Sequence, residues 1–336
     1  MTLRLPGFVN AHCHAFQRAL RGRTEGGDFW AWRDAMLALA RCQTPKLVKA
    51  EYVTTYEEML HSGYTAVGEF HYLGFETALA AAEAADEAGI QFTLLYAAYA
   101  VPPFAQPSVS AYLADVDRLR EHGLSVGVAP HSVRACPPDW LEEIGRYADR
   151  EGAVLHVHAS EQPKEVDDCL AAYGVRPIEL LARSGCLGPR TTVVHATHAS
   201  DAELDLLHDA GARICVCPTT EANLGDGFAP VDRIWSRGMG VCIGSDSNVR
   251  IDPLEELREL EGTARRLTLR RNVVPLERLL AFGSGEGAAA LGIEHWPDVT
   301  VDTAHASLRG IDETDVPAAL VDGCSSEVLA PAVVTQ

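Results

Sequence analysis

Two histidines near the start of the chain, His12 and His14, are separated by one residue and follow the apolar run Phe8–Ala11. In a β-strand, residues i and i+2 point to the same face, so the two imidazoles would project together from one strand end. Paired imidazoles suit a Zn²⁺ ion that keeps one position open for water. The motif also occurs in ordinary strands, so a metal site requires further ligands from elsewhere in the chain.

Residue types with metal or acid–base chemistry recur where later apolar runs end. They are Glu69, His71, Tyr72, His131, Arg134, His156, His158, Glu161, His195, His198, Glu221 and Asp246. Most of the 13 histidines of the chain lie at these run ends. This recurrence predicts that the fold brings the ends of the runs together in one site.

The elements that would position these residues alternate regularly. Eight apolar, β-rich runs cover residues 6–12, 64–70, 91–98, 124–130, 153–159, 191–196, 213–217 and 240–246. Between them, apolar residues at i, i+3 and i+4 predict helices over 46–62, 75–89, 110–122, 138–150, 200–210 and 229–238. Near-continuous apolar runs are typical of buried parallel strands. Eight such units favour an α/β fold of the (β/α)8 TIM-barrel type over the alternative, a doubly wound sheet.

Two segments depart from a minimal barrel. Residues 15–43 form a long first connection, which we predict to be a lid with a short helix from Phe29 and with Trp30 and Trp32 packed on the barrel. The barrel would span residues 1–292, and a small C-terminal β appendage would span 293–336. Its strand-like pieces lie at 298–302, 317–322 and 328–334. Because about five residues precede the first barrel strand, we expect a truncated appendage without N-terminal partner strands.

Composition restricts the possible partners. The chain has 336 residues, 47% of them hydrophobic, and a formal net charge of −19. This negative charge disfavours nucleic acid, and an anionic substrate would need local arginines. No apolar run has the ~20 residues of a membrane span, and the N-terminus lacks a signal-peptide pattern. The nine cysteines form no Cys-x-x-Cys pair, which indicates reduced thiols in a cytoplasmic protein.

The motifs at the run ends resemble those of the amidohydrolase superfamily and, within it, those of the formimidoylglutamate deiminases. The matching motifs are His12-Cys-His14, His14-Ala-Phe-Gln-Arg18, Phe29-Trp-Ala-Trp-Arg33, Glu69-Phe-His-Tyr72, His131-Ser-Val-Arg134, His158-Ala-Ser-Glu161, His195-Ala-Thr-His198 and the segment 217–226. The resemblance extends from about residue 6 to residue 290. It implies a barrel enzyme that hydrolyses N-formimidoyl-L-glutamate to N-formyl-L-glutamate and ammonia, a step of histidine degradation.

The resemblance also implies a role for individual residues. One Zn²⁺ per chain, with Fe²⁺ or Mn²⁺ as other options for the same ligand types, would be held by His12, His14, His158 and Asp246. Proton transfer and orientation of the attacking water would involve Glu161, His195 and Asp246. The small anionic substrate would be bound by Gln17, Arg33, Tyr72, His131 and Arg134. We also expect a homodimer that binds neither nucleic acid nor a membrane.

Several alternatives remain open at this point. His156 shares a strand face with His158, although the His-x-x-Glu step to Glu161 favours His158 as the ligand. Glu161 could orient a ligand histidine instead of transferring protons. Cys215 and Cys217 could bind metal but are more typical of core packing. For function, the alternatives are an amidohydrolase acting on another amidine or on a heterocycle, and a binding protein without catalytic activity.

Overall fold

The computed structural model describes residues 2–330 and contains two β-sheets. The strands are β1 (Thr2–Pro6), β2 (Phe8–Cys13), β3 (Tyr64–His71), β4 (Gln91–Ala98), β5 (Val126–Pro130), β6 (Leu155–Ala159), β7 (Thr191–His195), β8 (Arg213–Val216), β9 (Val241–Ile243), β10 (Asp298–Asp302) and β11 (Leu329–Ala330). Strands β2 to β9 form one parallel sheet in sequence order, and β1, β10 and β11 form a second, antiparallel sheet.

The parallel sheet closes into a barrel. Backbone hydrogen bonds join its first strand to the segment after its last strand: His14 N–H donates to Asp246 O at 2.9 Å, and Asp246 N–H donates to His12 O at 3.0 Å. All eight predicted strands are therefore present, and the predicted (β/α)8 barrel is confirmed. Every residue of β2, β3, β5, β6 and β7 is buried, as expected for parallel strands covered on both faces.

Helices surround the barrel. They are α1 (Phe29–Arg41), α2 (Pro45–Ser62), α3 (Phe75–Ala88), α4 (Val109–Glu121), α5 (Pro138–Glu151), α6 (Pro163–Tyr173), α7 (Pro177–Arg183), α8 (Asp201–Asp209), α9 (Pro218–Leu224), α10 (Val231–Ser236), α11 (Pro253–Thr268), α12 (Leu276–Phe282), α13 (Gly285–Leu291) and α14 (Val316–Gly323). Helix α2 illustrates how local sequence sets the boundaries. The Thr44 hydroxyl accepts the Leu47 N–H at its start, and Gly63 ends it with a positive φ of 99°.

The first connection contains more helix than predicted. A 3-10 turn covers Ala15–Leu20, and α1 then runs for 13 residues from Phe29, capped by the Asp28 carboxylate, which accepts the Ala31 N–H. Only Phe29 and Ala40 of this helix are buried. The other residues of α1 are partly or fully exposed, and several of them line the same cavity as residues at the C-terminal ends of the strands.

The small sheet corrects two predictions about the appendage. Its central strand β10 pairs with β1, from Thr2↔Asp302 to Pro6↔Asp298, so the appendage does have an N-terminal partner strand. The predicted boundary at residue 292 grouped β1 with the barrel, whereas β1 pairs with a strand of the appendage. Gly7 lies between β1 of the small sheet and β2 of the barrel. Its N–H donates to Pro297 O and its carbonyl accepts the Trp296 Nε1–H, so it also contacts the segment that precedes β10.

The predicted strand at 317–322 is instead helix α14. Pro317 stands in its first turn, where a missing backbone N–H costs nothing, and Val316, Leu320 and Val321 are its buried residues. The predicted strand at 328–334 is represented by the two residues of β11, and residues 331–334 lie outside the described part of the chain.

Candidate metal centre and substrate cavity

Four predicted metal ligands converge at the C-terminal end of the barrel. His12 lies on β2, His14 follows its last residue, His158 lies on β6, and Asp246 follows β9. One ligand atom from each lies within 4.8 Å of the others. The Nε2 atoms of His12 and His158 are 3.0 Å apart, and Asp246 Oδ1 lies 3.5 Å from His12 Nε2 and 3.4 Å from His14 Nε2. All four residues are buried.

Backbone carbonyls orient two of these imidazoles. His14 Nδ1 lies 2.8 Å from Phe70 O, and His158 Nδ1 lies 3.0 Å from His131 O. A proton on Nδ1 that is donated to a carbonyl leaves the Nε2 lone pair facing the centre of the cluster. The chain therefore fixes the tautomer that a metal ion requires.

The ionisation state of the cluster also fits a divalent cation. Burial lowers the pKa of His12 to about 3 and lowers the pKa values of His14 and His158, so the three rings are neutral at pH 7. For Asp246, burial alone would raise the pKa, but the hydrogen bond from His12 and the positive charge that the neighbouring histidines carry at low pH hold the pKa below its usual range. Three neutral imidazoles and one carboxylate are donor groups that Zn²⁺ accepts in proteins.

A second group of charged residues surrounds His195, which is fully buried at the end of β7. Its Nδ1 donates to Glu221 Oε1 at 3.2 Å, and its Nε2 lies 3.6 Å from Glu161 Oε1 and 3.7 Å from Asp246 Oδ2. Burial favours the neutral ring, but the charges of Glu161, Glu221 and Asp246 outweigh burial and raise the pKa of His195 to about 10. The imidazole is thus held between carboxylates, one of which belongs to the metal cluster.

Glu161 also contacts an arginine. Arg134 Nη2 donates to Glu161 Oε2 at 2.9 Å, and Arg134 Nε lies 3.9 Å from Glu165 Oε1. The second Glu165 oxygen accepts the Glu161 N–H at 3.0 Å. Arg134 therefore bridges the predicted proton-transfer residue and a buried acidic residue on α6.

A cavity of about 290 Å³ opens above the metal cluster. Its walls include all five predicted substrate-binding residues, namely Gln17, Arg33, Tyr72, His131 and Arg134, together with Glu161 and three of the four cluster residues. Gln17 Nε2 donates to the Tyr72 hydroxyl at 3.1 Å. Trp30 and Trp32 of α1 also line the cavity, which differs from the packing role expected for them.

Sequence reasoning assigned no role to three acidic residues around the site, although Glu221 was among the run-end residues. Glu221 bonds His195, Glu165 bonds the Glu161 backbone, and Asp226 accepts a close hydrogen bond from Gln162. Burial and the nearby charge of Glu161 raise the pKa of Asp226 to about 9. Glu221 and Asp226 both lie in the quoted segment 217–226, so the signal was available, but spacing along the chain did not indicate their contacts.

Other run-end residues lie outside the metal cluster. His156 Nε2 donates to Ala290 O at 2.9 Å, deeper in the barrel than His158. His71 contacts Tyr52 and Thr77, and the His198 Nε2 donates to the Asp226 carbonyl. Cys215 and Cys242 lie in a buried apolar cluster with Cys217. Cys217 also lies within 4.8 Å of His195 and Asp246 ligand atoms.

Comparison with known proteins agrees with this arrangement. A model of the amidohydrolase family matches residues 3–296. The chain belongs to the amidohydrolase family. The resemblance found in the motifs is thereby confirmed.

Relatives of this amidohydrolase differ in what they act on. It is 38% identical over 299 residues to formimidoylglutamate deiminase from Pseudomonas aeruginosa, covering 80% of this chain and 66% of that protein. It is 32% identical over 304 residues to 5-methylthioadenosine/S-adenosylhomocysteine deaminase from Nitratidesulfovibrio vulgaris, covering 88% and 68%. The solved structure of an amidohydrolase from Brucella melitensis superposes with a TM-score of 0.85 at 31% identity, covering 97% of this chain and 84% of that one.

The described residues contain no helix with the length and apolar character needed to cross a membrane.

Proposed function

We propose that this amidohydrolase hydrolyses the amidine of N-formimidoyl-L-glutamate to N-formyl-L-glutamate and ammonia. The observation that carries the proposal is one cavity whose walls hold both the cluster of His14, His158 and Asp246 and the side chains of Arg33 and Arg134. A planar guanidinium matches a carboxylate in a bidentate fashion, and the proposed substrate has two carboxylates. The deiminase relative supports the same assignment.

We propose Zn²⁺ as the metal, held by His12, His14, His158 and Asp246. When bound, such an ion makes hydroxide available near neutral pH and polarises the carbon under attack. The same ligands accept Fe²⁺ or Mn²⁺.

The chain's own residues move the protons. Asp246 Oδ2 and His195 Nε2 face the same space, 3.7 Å apart, and orient the attacking water. Glu161, 3.6 Å from His195, delivers a proton to the departing nitrogen as general acid. The net change is addition of water across the amidine carbon, formation of a C–O bond and loss of ammonia as the C–N bond breaks.

The two arginines bind different ends of the substrate. Arg134 contacts Glu161 and therefore lies beside the reacting group, where it binds the α-carboxylate. Arg33 lies on α1 at the cavity mouth and binds the distal carboxylate. Gln17 and Tyr72 hydrogen-bond to each other on the cavity wall and orient the connecting chain. The reaction belongs to histidine degradation in the cytoplasm, in keeping with nine free cysteines.

One observation favours a second candidate, the deamination of a purine nucleoside. Trp30, Trp32, Tyr99 and Phe104 all line the cavity and offer stacking surfaces for a heterocycle. The methylthioadenosine deaminase relative points the same way.

An ammonia-release assay on zinc-loaded protein distinguishes the candidates. N-formimidoyl-L-glutamate, its aspartate analogue, a guanidino acid and 5-methylthioadenosine would be compared at matched concentrations. We expect turnover of the glutamate compound with a kcat/KM at least about tenfold above the others. Turnover of the nucleoside without turnover of formimidoylglutamate would replace the first candidate by the second.

A further inference from the structure

The ion pair between Arg134 and Glu161 poses a chemical conflict. Arg134 Nη2 holds Glu161 Oε2 at 2.9 Å, inside the cavity where a substrate carboxylate is expected. A carboxylate oxygen that accepts a charge-assisted hydrogen bond from an arginine is occupied by that contact and is not free to exchange a proton with a substrate atom. The two roles assigned to this pair, carboxylate binding and proton transfer, therefore compete for the same contact.

We propose that the substrate itself resolves this conflict: its α-carboxylate displaces Glu161 from Arg134, and the freed Glu161 carboxylate takes a proton from the attacking water and passes it to the departing nitrogen. This inference rests on the proposed function. It assigns to Arg134 a specificity-determining role that acts on kcat, because an amidine without the α-carboxylate leaves Glu161 ion-paired.

Glu165 makes the exchange physically feasible. Its Oε1 atom lies 3.9 Å from Arg134 Nε, a different guanidinium nitrogen from the one that contacts Glu161, and Glu165 is almost fully buried. Its other oxygen is fixed by the Glu161 N–H. Arg134 thus has a second carboxylate near its Nε while Glu161 and the substrate carboxylate exchange at Nη2. Glu161 keeps its contact with His195 through the opposite oxygen, Oε1.

Arg33 provides the matched control because it lines the same cavity without an ion pair among the described residues. Its guanidinium lies 6.0 Å from the centre of the Trp30 ring, at the cavity mouth. A carboxylate bound there contributes to affinity but changes nothing at Glu161. The two arginines should therefore affect different kinetic constants.

Two truncated substrates separate these effects. N-formimidoyl-4-aminobutyrate lacks the α-carboxylate, and N-formimidoyl-2-aminobutyrate lacks the distal one. For the zinc-loaded wild type, we expect the first compound to lose at least about 100-fold in kcat, and the second to keep kcat within about fivefold while KM rises. Added acetate should raise kcat for the first compound in a saturable manner, because a free carboxylate can occupy Arg134.

The variant Arg134→Gln gives the sharpest test. With N-formimidoyl-4-aminobutyrate we expect Arg134→Gln to be about tenfold faster than wild type and insensitive to acetate, because Glu161 is already free. Arg33→Gln should keep the acetate response, and its main effect should be a higher KM. A crystal structure with glutarate, an unreactive dicarboxylate, should show Arg134 on the ligand and Glu161 beyond hydrogen-bonding distance from it.

The outcomes distinguish failure of this inference from failure of the proposed function. If formimidoylglutamate is turned over but the compound without the α-carboxylate reacts with the same kcat and no acetate effect, the exchange at Arg134 is wrong while the deiminase assignment stands. If Arg134→Gln slows every substrate equally, the exchange is also wrong, and Arg134 serves only substrate binding or folding. The zinc content of the variant and the acetate response of the wild type then distinguish binding from folding. No turnover of formimidoylglutamate overturns the function itself.

Discussion

Nδ1 of His195 lies 3.2 Å from Oε1 of Glu221, and both side chains are buried. The same Glu221 oxygen also accepts the Cys217 N–H at 3.0 Å, and this backbone hydrogen bond holds the carboxylate in place beside the imidazole. Backbone strain accompanies this arrangement, since His195 has a positive φ of 72°. The pair directs Nε2 of His195 at the space between Glu161 and Asp246.

Removing the Glu221 carboxylate should therefore impair catalysis without emptying the metal site. We expect Glu221→Gln to lower kcat by about 10- to 100-fold with metal content unchanged. The pKa of His195 should fall below its value of about 10, because one of the carboxylates that stabilise the protonated ring is gone. Steady-state kinetics and an NMR titration of the imidazole in metal-free protein would measure both effects. Asn223→Ala, an exposed position on the same helix, should change neither quantity.

Metal dependence offers a second test with a matched pair of histidines. Chelation should abolish activity, and Zn²⁺ should restore it at one ion per chain. His158→Ala should weaken metal binding by at least about 100-fold because it removes a direct ligand. His156→Ala, two residues earlier on β6, should retain the metal and lose about 1–3 kcal/mol of stability, because the Ala290 carbonyl loses its hydrogen bond. Metal analysis showing equal loss in both variants would contradict the ligand assignment.

The stability of the protein should depend on pH through Glu69. This carboxyl accepts the Ala15 N–H at 3.2 Å and the Tyr56 hydroxyl at 3.3 Å, and burial raises its pKa to about 8. In the unfolded chain its pKa is about 4.3, so the folded state binds the proton more tightly. The resulting stability is fully present below about pH 4 and is lost as the pH rises through about 8.

Glu69→Gln removes this titration while keeping an acceptor for Ala15. We expect the free energy of unfolding of the variant, relative to wild type, to increase by a few kcal/mol between about pH 4 and pH 8. Denaturant unfolding at several pH values measures the difference. Glu57→Gln, an exposed change on α2, serves as the control for the substitution itself. A flat difference for Glu69→Gln would show that its carboxyl is ionised in the folded state.

Close packing beside the metal cluster predicts a further effect. A Cβ at Gly244 would lie 2.7 Å from His12 O and 2.9 Å from His12 Cβ, so Gly244→Ala must push the segment after β9 away from β2. We expect weaker metal binding and a loss of about 1–3 kcal/mol of stability. Gly262→Ala, within α11 and with only a flexible Arg266 atom near it, should instead stabilise by roughly 0.5–1 kcal/mol. Metal titration and thermal unfolding of the two variants provide the comparison.

The sequence alone was enough to predict the barrel and to name the four candidate metal ligands. Strands buried on both faces are almost continuously apolar, so their number and order can be predicted from the chain, and barrel strands place their C-terminal ends together. This geometry makes a His-x-His pair at one run end and Asp246 at another neighbours in space. The appendage was predicted less well, because short segments such as 317–322 satisfy helix and strand patterns equally and only packing against α11 selects the helix.

Only the tertiary structure decided which charged groups meet. Glu221, Glu165 and Asp226 lie on helices or loops whose distance from His195 and Arg134 depends on how each connection folds back over the barrel. Whether Arg134 faces a substrate carboxylate, Glu161 or both is a matter of a few ångströms. Spacing along the chain carries no information on that scale, whereas electrostatic interactions in a buried site depend on it directly.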